Sequence, residues 1–261
     1  MNSDATILAV SVGNTRVQIG RFEDGELTET VRLPNDDLPT IIDRIQTVWA
    51  AFDDAAHPTL VVASVNDAVA RPLRSALTDQ LSTTPYQIGE DLPAPIGRQL
   101  DPETITGVDR LLNAAAAFHS LKQACIIVDA GTAVTVDFVD GEGTFHGGAI
   151  APGAQMQLDA LHAYTDALPE LLFAAPDPNE IFGRSTAQAM LRGVYDGIRG
   201  MVWRLVEQYA LQYGAYPIVV ATGGDAEILF SNDELIDRIV PDLTLHGIAV
   251  AARHAMTGDS D

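Results

Sequence analysis

Apolar positions in this chain fall into short runs and longer helical stripes, and one arrangement of them occurs twice. The run Ile7 to Val10 leads into Val10-Ser11-Val12-Gly13-Asn14-Thr15, and the run Ile126 to Val128 leads into Val128-Asp129-Ala130-Gly131-Thr132-Ala133. Each continues into a second β-like run that ends in an acidic glycine turn, Glu23-Asp24-Gly25 or Asp140-Gly141-Glu142. Apolar runs on either side of a Gly-Asn or Gly-Thr turn read as strand, tight turn, strand, because Gly and Asn reach positive φ at little cost. A hairpin built at the start of each half predicts two similar domains. Two such turns facing across a cleft would present backbone N–H groups and hydroxyls to one phosphate chain. The copies differ at one position that matters chemically: Asp129 in the second, Ser11 in the first.

Helical spacing at Leu38, Ile41, Ile42, Ile45 and Val48 predicts a helix over Asp36 to Phe52, with Pro39 tolerated near its start. A buried strand is expected at Leu60 to Val65, an amphipathic helix at Asp67 to Leu81 with Pro72 in it, and a short strand at Tyr86 to Ile88. Gly89 to Pro102 carries three prolines and two glycines, which marks a loop or domain junction. The expected domains are therefore 1–106 and 107–261. Val108 to Lys122 reads as a helix whose small face, Ala114 to Ala117, suits close packing. Gly147-Gly148-Ala149-Ile150-Ala151-Pro152-Gly153 is too glycine-rich for an ordinary strand and is expected as a loop near a ligand or another backbone.

Gln155 to Tyr164 reads as helix, and Leu171 to Pro178 as irregular. The longest helix should run from Thr186 to Tyr213, capped by Ser185, with apolar positions at Met190, Leu191, Val194, Ile198, Met201, Val202 and Leu205. Gly193 and Gly197 weaken its propensity, which points to close packing of this helix, between subunits. The tail is expected as strand Ile218 to Ala221, the pair Gly223-Gly224, a helix, strand Leu243 to Leu245 and a helix from Gly247 to Met256. Strands alternating with helices give an α/β fold.

At 261 residues, 47% hydrophobic and 20% charged, the chain can build two modest cores. Its formal charge of −21 arises from 36 acidic against 15 basic residues, and Lys122 is the one lysine. Such a surface repels polyanions, so nucleic acid is not an expected partner. Met1-Asn2-Ser3-Asp4 lacks the basic region of a signal peptide and no apolar run approaches a membrane span, so a cytoplasmic protein with no membrane partner is expected. Cys125, alone, excludes an intrachain disulfide and reads as a small buried hydrophobe.

A nucleotide P-loop needs Gly-x4-Gly-Lys-Ser/Thr, and no such loop precedes Lys122. His57, His119, His146, His162, His246 and His254 form no pair at zinc-ligand spacing, and there is no Gly-x-Ser-x-Gly elbow. Polar residues at turns and helix starts remain: Asn14, Thr15, Asp109, Arg110, Asp129, Thr132 and Thr186. Asn14 and Thr15 suit a hairpin turn whatever the function. Asp109 in the first turn of a helix is favoured by the helix dipole and needs no catalytic role. Asp129 is different, because it interrupts an apolar strand, where a carboxylate requires a cation or several donors.

Taken together and in order, these residues resemble the type III pantothenate kinases. The matching pieces are Val12-Gly13-Asn14-Thr15, Gly107-Val108-Asp109-Arg110 with Leu111 to Ala117 behind it, Asp129-Ala130-Gly131-Thr132-Ala133, Gly147 to Gly153, Gly183-Arg184-Ser185-Thr186 and Ala221-Thr222-Gly223-Gly224. The resemblance implies two ribonuclease-H-like domains of the actin-like ATPase superfamily around a nucleotide cleft. It also implies transfer of the γ-phosphoryl of ATP to the primary hydroxyl of pantothenate, the first step toward coenzyme A.

Carried over position by position, Asp109 is the implied general base, and Gly107, Val108, Arg110 and Thr186 are implied pantothenate contacts. Ser11, Val12, Gly13, Asn14, Thr15, Arg16, Val17, Gln18 and Thr132 correspond to the ATP-binding positions. Asp129 corresponds to the ligand of a monovalent cation, potassium or ammonium, and ATP would enter with Mg2+. A homodimer is implied as well. Three positions depart from the family pattern: Ser11 stands where the first phosphate motif has Asp, Gln18 where many relatives have Lys, and no aromatic residue has a counterpart near Leu100. The loss of the metal-site Asp makes a catalytically weak binding or regulatory relative the competing expectation.

Overall fold

The computed structural model describes residues 6–52 and 58–257; Met1–Asp4 and His57, both used above, lie outside the described residues. The chain divides into two compact units, and the division is not a single cut. The first unit comprises 1–97, 101–120 and 242–261, and the second 98–100 and 121–241.

In chain order the first unit contains β1 (Ile7–Val12), β2 (Arg16–Glu23), β3 (Glu26–Pro34), α1 (Leu38–Ala50), β4 (Thr59–Ser64), α2 (Asp67–Leu81) and β5 (Tyr86–Gln87). Its sheet has the order β3-β2-β1-β4-β5. β1, β2 and β3 pair antiparallel, while β4 joins β1, and β5 joins β4, in parallel. The β2–β3 turn uses Asp24 and Gly25, both at positive φ, where an acidic glycine turn was expected. The run Ile7, Leu8, Ala9, Val10 is wholly buried because β1 is central, covered on both faces. Leu8, Val10, Val17 and Ile19 pack with Ile41 and Ile45 of α1 and Leu73 and Leu77 of α2.

A short strand β6 (Gly97–Arg98) follows, and then α3 (Val108–Leu121), whose Ala114 to Ala117 are all buried. The second unit continues with β7 (Cys125–Ala130), β8 (Ala133–Val139), β9 (Thr144–Pro152), α4 (Ala154–Ala163), α5 (Thr186–Tyr213), β10 (Ile218–Thr222), α6 (Ala226–Phe230) and β11 (Arg238–Ile239). Its sheet runs β11-β10-β7-β8-β9-β6. β7, β8 and β9 are antiparallel and β10 and β11 parallel, so β7 to β11 repeat the connectivity of β1 to β5. The doubled hairpin seen in the sequence is thus the start of a doubled five-strand pattern. Cys125 is fully buried, and burial alone pushes its thiol up to about 12.

Two expected elements are corrected. Gly147 to Gly153 is not a loop: it lies in β9, in register with β8 from Ala133↔Pro152 to Phe138↔Gly147, and only Gly153 falls outside the strand. Backbone pairing with β8 carries this strand where side chains do not. Leu243 to Leu245 is not a strand but the first turn of α7 (Leu243–Thr257). The His246 N–H reaches the Asp242 carbonyl, closing the helical ring that a strand would lack. α7 returns to the first unit, where Gly247 lies so close to α3 that a Cβ on it would stand 2.3 Å from the Leu112 carbonyl oxygen.

Candidate active site

In the first unit, two sequence motifs meet at the end of the sheet where β1 and β4 terminate. Val12 and Val17 are buried and anchor the hairpin, leaving Asn14, Thr15 and Arg16 exposed at its tip. The Gly13 N–H donates to the Arg16 carbonyl at 2.9 Å. Neither Gly13 nor Gly131 adopts the positive φ expected of it. At Gly13 the constraint is space instead: a Cβ would sit 3.1 Å from the Arg16 carbonyl. Asn35, which the sequence reading missed, fastens the turn from β3, its Nδ2 donating to the carbonyls of Gly13 at 2.9 Å and Asn14 at 2.8 Å.

Val65 links this turn to the second motif. Its N–H donates to the Val12 carbonyl at 3.1 Å, and its side chain is 3.9 Å from the position a Cβ would take on Gly107. That same Cβ would lie 2.6 Å from Asp109 Oδ1, so a side chain at Gly107 would displace the carboxylate from its present place. Asp109 sits in the first turn of α3, half-buried, and Oδ1 accepts the Arg110 N–H at 2.8 Å. Burial raises its pKa above the ordinary carboxylate value, and the Arg110 N–H and guanidinium offset this only in part. A carboxylate made more basic in this way, at the carboxyl end of a sheet, is equipped to accept a proton. Val108 and Arg110 flank it, each partly buried.

In the second unit, Asp129 is the penultimate residue of β7 and pairs in register with Thr222 of β10, which is 3% exposed. Asp129 is only partly buried, lying at the end of its strand rather than within it. Glycines surround it. Gly223, at φ +94°, would bring a Cβ to 2.5 Å from Asp129 Oδ1 and 2.3 Å from the Ala130 carbonyl oxygen. A Cβ on Gly131 would lie 3.7 Å from Asp129 Oδ1. Gly153 presses on the same turn, its N–H donating to the Thr132 carbonyl at 3.0 Å. Thr132 itself is exposed.

Thr186 begins α5, where a capping box holds the helix start: Ser185 Oγ accepts the Gln188 N–H at 3.2 Å and Gln188 Oε1 accepts the Ser185 N–H at 3.1 Å. Thr186 lines a cavity of about 900 Å³ with Pro152, Met156, Leu161, Tyr164, Met190 and Gly193. The cavity wall is apolar apart from a few side chains, as small-molecule pockets usually are. Pro152 pairs with Ala133, so the cavity borders the second hairpin. Among the described residues, no group of three or more His, Cys, Asp or Glu is placed to hold a metal ion, and no helix is long and apolar enough to cross a membrane.

The sequence matches the family described as type III pantothenate kinase over residues 7–208. A type III pantothenate kinase of Dehalococcoides mccartyi is 32% identical over 254 residues, covering 94% of this chain and 96% of that protein. One from Rhodospirillum rubrum is 38% identical over 194 residues, covering 74% and 75%. Among solved structures, a Baf family transcriptional activator from Campylobacter jejuni superposes with a TM-score of 0.57 at 20% identity, covering 96% of this chain and 99% of the other. The activator of 2-hydroxyisocaproyl-CoA dehydratase from Clostridium difficile gives 0.53 at 12% identity, covering 98% of each. These structural likenesses bear on fold, which is that of the actin-like ATPases. The sequence match supplies the closer relationship: the chain belongs to the type III pantothenate kinase family.

Proposed function

We propose that this protein uses ATP to phosphorylate the primary hydroxyl of pantothenate, giving 4'-phosphopantothenate for coenzyme A synthesis in the cytoplasm. The observation that carries the reading is Asp109, raised in pKa and held over Gly107 at the sheet end that also bears the Gly13-Asn14-Thr15 turn. Asp109 accepts the hydroxyl proton as that oxygen attacks the γ-phosphorus, and Arg110 offsets negative charge on the substrate or the group in transfer. Phosphoryl transfer asks a protein mainly to position groups and neutralise charge, and these residues are suited to that.

The residues Ser11 to Gln18 and Thr132 cradle the ATP phosphates with backbone N–H groups and hydroxyls. Actin-like relatives support a nucleotide role for such turns: the Clostridium difficile activator was solved with ADPNP bound. Mg2+ would enter with ATP, and since the Ser11 position supplies no carboxylate, Ser11 could meet it only through its hydroxyl or a water. Asp129 would hold a monovalent cation. A single carboxylate hemmed by glycine backbone suits a singly charged ion better than a divalent one, and the bound ion would supply fixed positive charge beside the phosphates. Thr186 and its cavity take pantothenate.

A second copy of the chain covers the α4–α5 face. Met156, Leu161 and Tyr164 are exposed there, and nothing approaches within 4 Å of a Cβ placed on Gly193 or Gly197. The competing idea of a catalytically weak binding or regulatory relative, drawn from Ser11 and the other departures, is favoured by no family relationship. Incubation with ATP, Mg2+, K+ and pantothenate should release ADP and yield a product heavier by one phosphoryl group. ADP release that does not depend on pantothenate would count against this substrate.

A further inference from the structure

A second cavity, of about 490 Å³, lies in the second unit between the β8–β9 hairpin and the C-terminal half of α5. It is separate from the cavity at Thr186: Tyr209 and Thr186 are roughly 35 Å apart along α5 at about 1.5 Å per residue. Its walls are mostly rings. The Phe138 centroid is 5.2 Å from that of Tyr213, 6.4 Å from that of Tyr209 and 5.5 Å from that of His146, with the planes tilted rather than stacked. Gly147 and Gly148 complete the lining with backbone.

Besides the tyrosine hydroxyls, the polar side chains in the wall are Asp140, His146 and Gln212, and among the described residues no Lys or Arg lines it. Asp140 Oδ2 is 2.7 Å from His146 Nε2, and Oδ1 accepts the N–H groups of Glu142 at 3.0 Å and Thr144 at 2.9 Å. The carboxylate therefore contributes charge while its hydrogen-bonding positions are largely taken. An anion would face the Asp140 carboxylate with no Lys or Arg in the wall to offset it. A cation whose charge is spread over alkyl groups needs no acceptor, and ring faces attract it through their quadrupoles.

From this geometry we infer that the cavity bounded by Phe138, Asp140, His146, Tyr209 and Tyr213 is a binding site for a small quaternary ammonium group. The size fits, since ligand pockets of roughly 300–1,000 Å³ hold small organic molecules. Tyr213 is 41% exposed, so it can be replaced without opening the core.

The test is calorimetric titration of the full chain with choline and with 3,3-dimethylbutan-1-ol, its uncharged isostere, repeated on Tyr213→Phe and Tyr213→Ala. The site predicts saturable choline binding at least ten-fold tighter than that of the alcohol. Tyr213→Phe, which keeps the ring face, should retain it, and Tyr213→Ala should weaken it at least ten-fold. Equal affinity for the two probes, choline binding indifferent to Tyr213→Ala, loss of binding in Tyr213→Phe, or no binding by the unaltered protein would each overturn the assignment. The comparison of the two probes on the unaltered chain stands even if Tyr213→Ala does not fold.

Discussion

Ser11 and Gln18 are direct cross-strand partners in the first hairpin, one pair back from Val12↔Val17 at the turn. Opposed residues in an antiparallel pair share a face and lie close enough to interact. The two positions at which the family resemblance implies Asp and Lys are thus paired in register, and the pair here is neutral on both sides. Restoring one charge alone leaves it without its partner. Ser11→Asp should lower the Mg2+ concentration needed for half-maximal rate several-fold. Ser11→Asp with Gln18→Lys should be more stable than the two single changes sum to, by about 0.2–1 kcal/mol, the scale of a cross-strand charge pair. Magnesium titrations that superpose for Ser11 and Asp at this position would remove the site from the metal's surroundings.

Gly223 controls the space around Asp129. With φ at +94° and a would-be Cβ 2.5 Å from Asp129 Oδ1, Gly223→Ala must both strain the backbone and displace the carboxylate. The strain should cost of order 1–3 kcal/mol in thermal unfolding. If Asp129 holds a monovalent cation, the variant should also lose the stimulation of turnover by K+ over Na+. Intact K+ stimulation in Gly223→Ala, or none in the unaltered protein, would detach Asp129 from that role.

Asp109 and Asp233 should respond to pH in opposite ways. Asp233, its side chain 1% exposed, accepts from Arg199 at 2.8 Å and from Trp203. Burial pushes its pKa up, but the Arg199 and Leu235 N–H groups and the Trp203 indole outweigh that and hold it below the ordinary value. Its contribution is complete above the unfolded value of about 3.9 and is lost as pH falls through the depressed one. Asp233→Asn should cost about 2 kcal/mol near neutral pH, the scale of a charge-assisted hydrogen bond, and flatten the acid limb of the stability curve. Asp109 is raised, so folding favours its neutral form, and the favourable contribution disappears as pH rises through the folded value. Asp109→Asn should therefore be at least as stable as the unaltered chain near neutral pH. A clear loss of melting temperature in Asp109→Asn would contradict the raised value.

Much of the fold was legible because local signals and tertiary packing agree. Ser185 caps α5 as its position before the apolar stripe suggested, and Met190, Val194, Ile198 and Val202 are the buried stripe itself. The failures have physical causes. Leu243 to Leu245 is too short a run for its period to be read, and only burial of Ile248, Ala249 and Ala252 further on reveals the helical face. Gly147 to Pro152 lacks the side chains that mark a strand, and its register comes from backbone pairing with the preceding strand β8. At the site, motif residues could be named but their supports could not. Asn35 reaches the Gly13 turn across the sheet, and nothing in the local sequence at Pro34-Asn35 announces that contact. The reason for Gly107, by contrast, becomes plain only with the Asp109 carboxylate in place above it.

The central claim is that Asp109 takes the proton from the hydroxyl that is phosphorylated, and the direct measurement is pantothenate-dependent ADP formation by Asp109→Asn beside the unaltered protein, with ATP binding measured on both. General-base catalysis is worth about 10²–10⁴-fold. Turnover should fall by that much in the variant while its affinity for ATP stays within about two-fold, because the base acts only in the transition state. An Asp109→Asn protein that turns over within about ten-fold of the original would contradict the account and send the search for the base elsewhere.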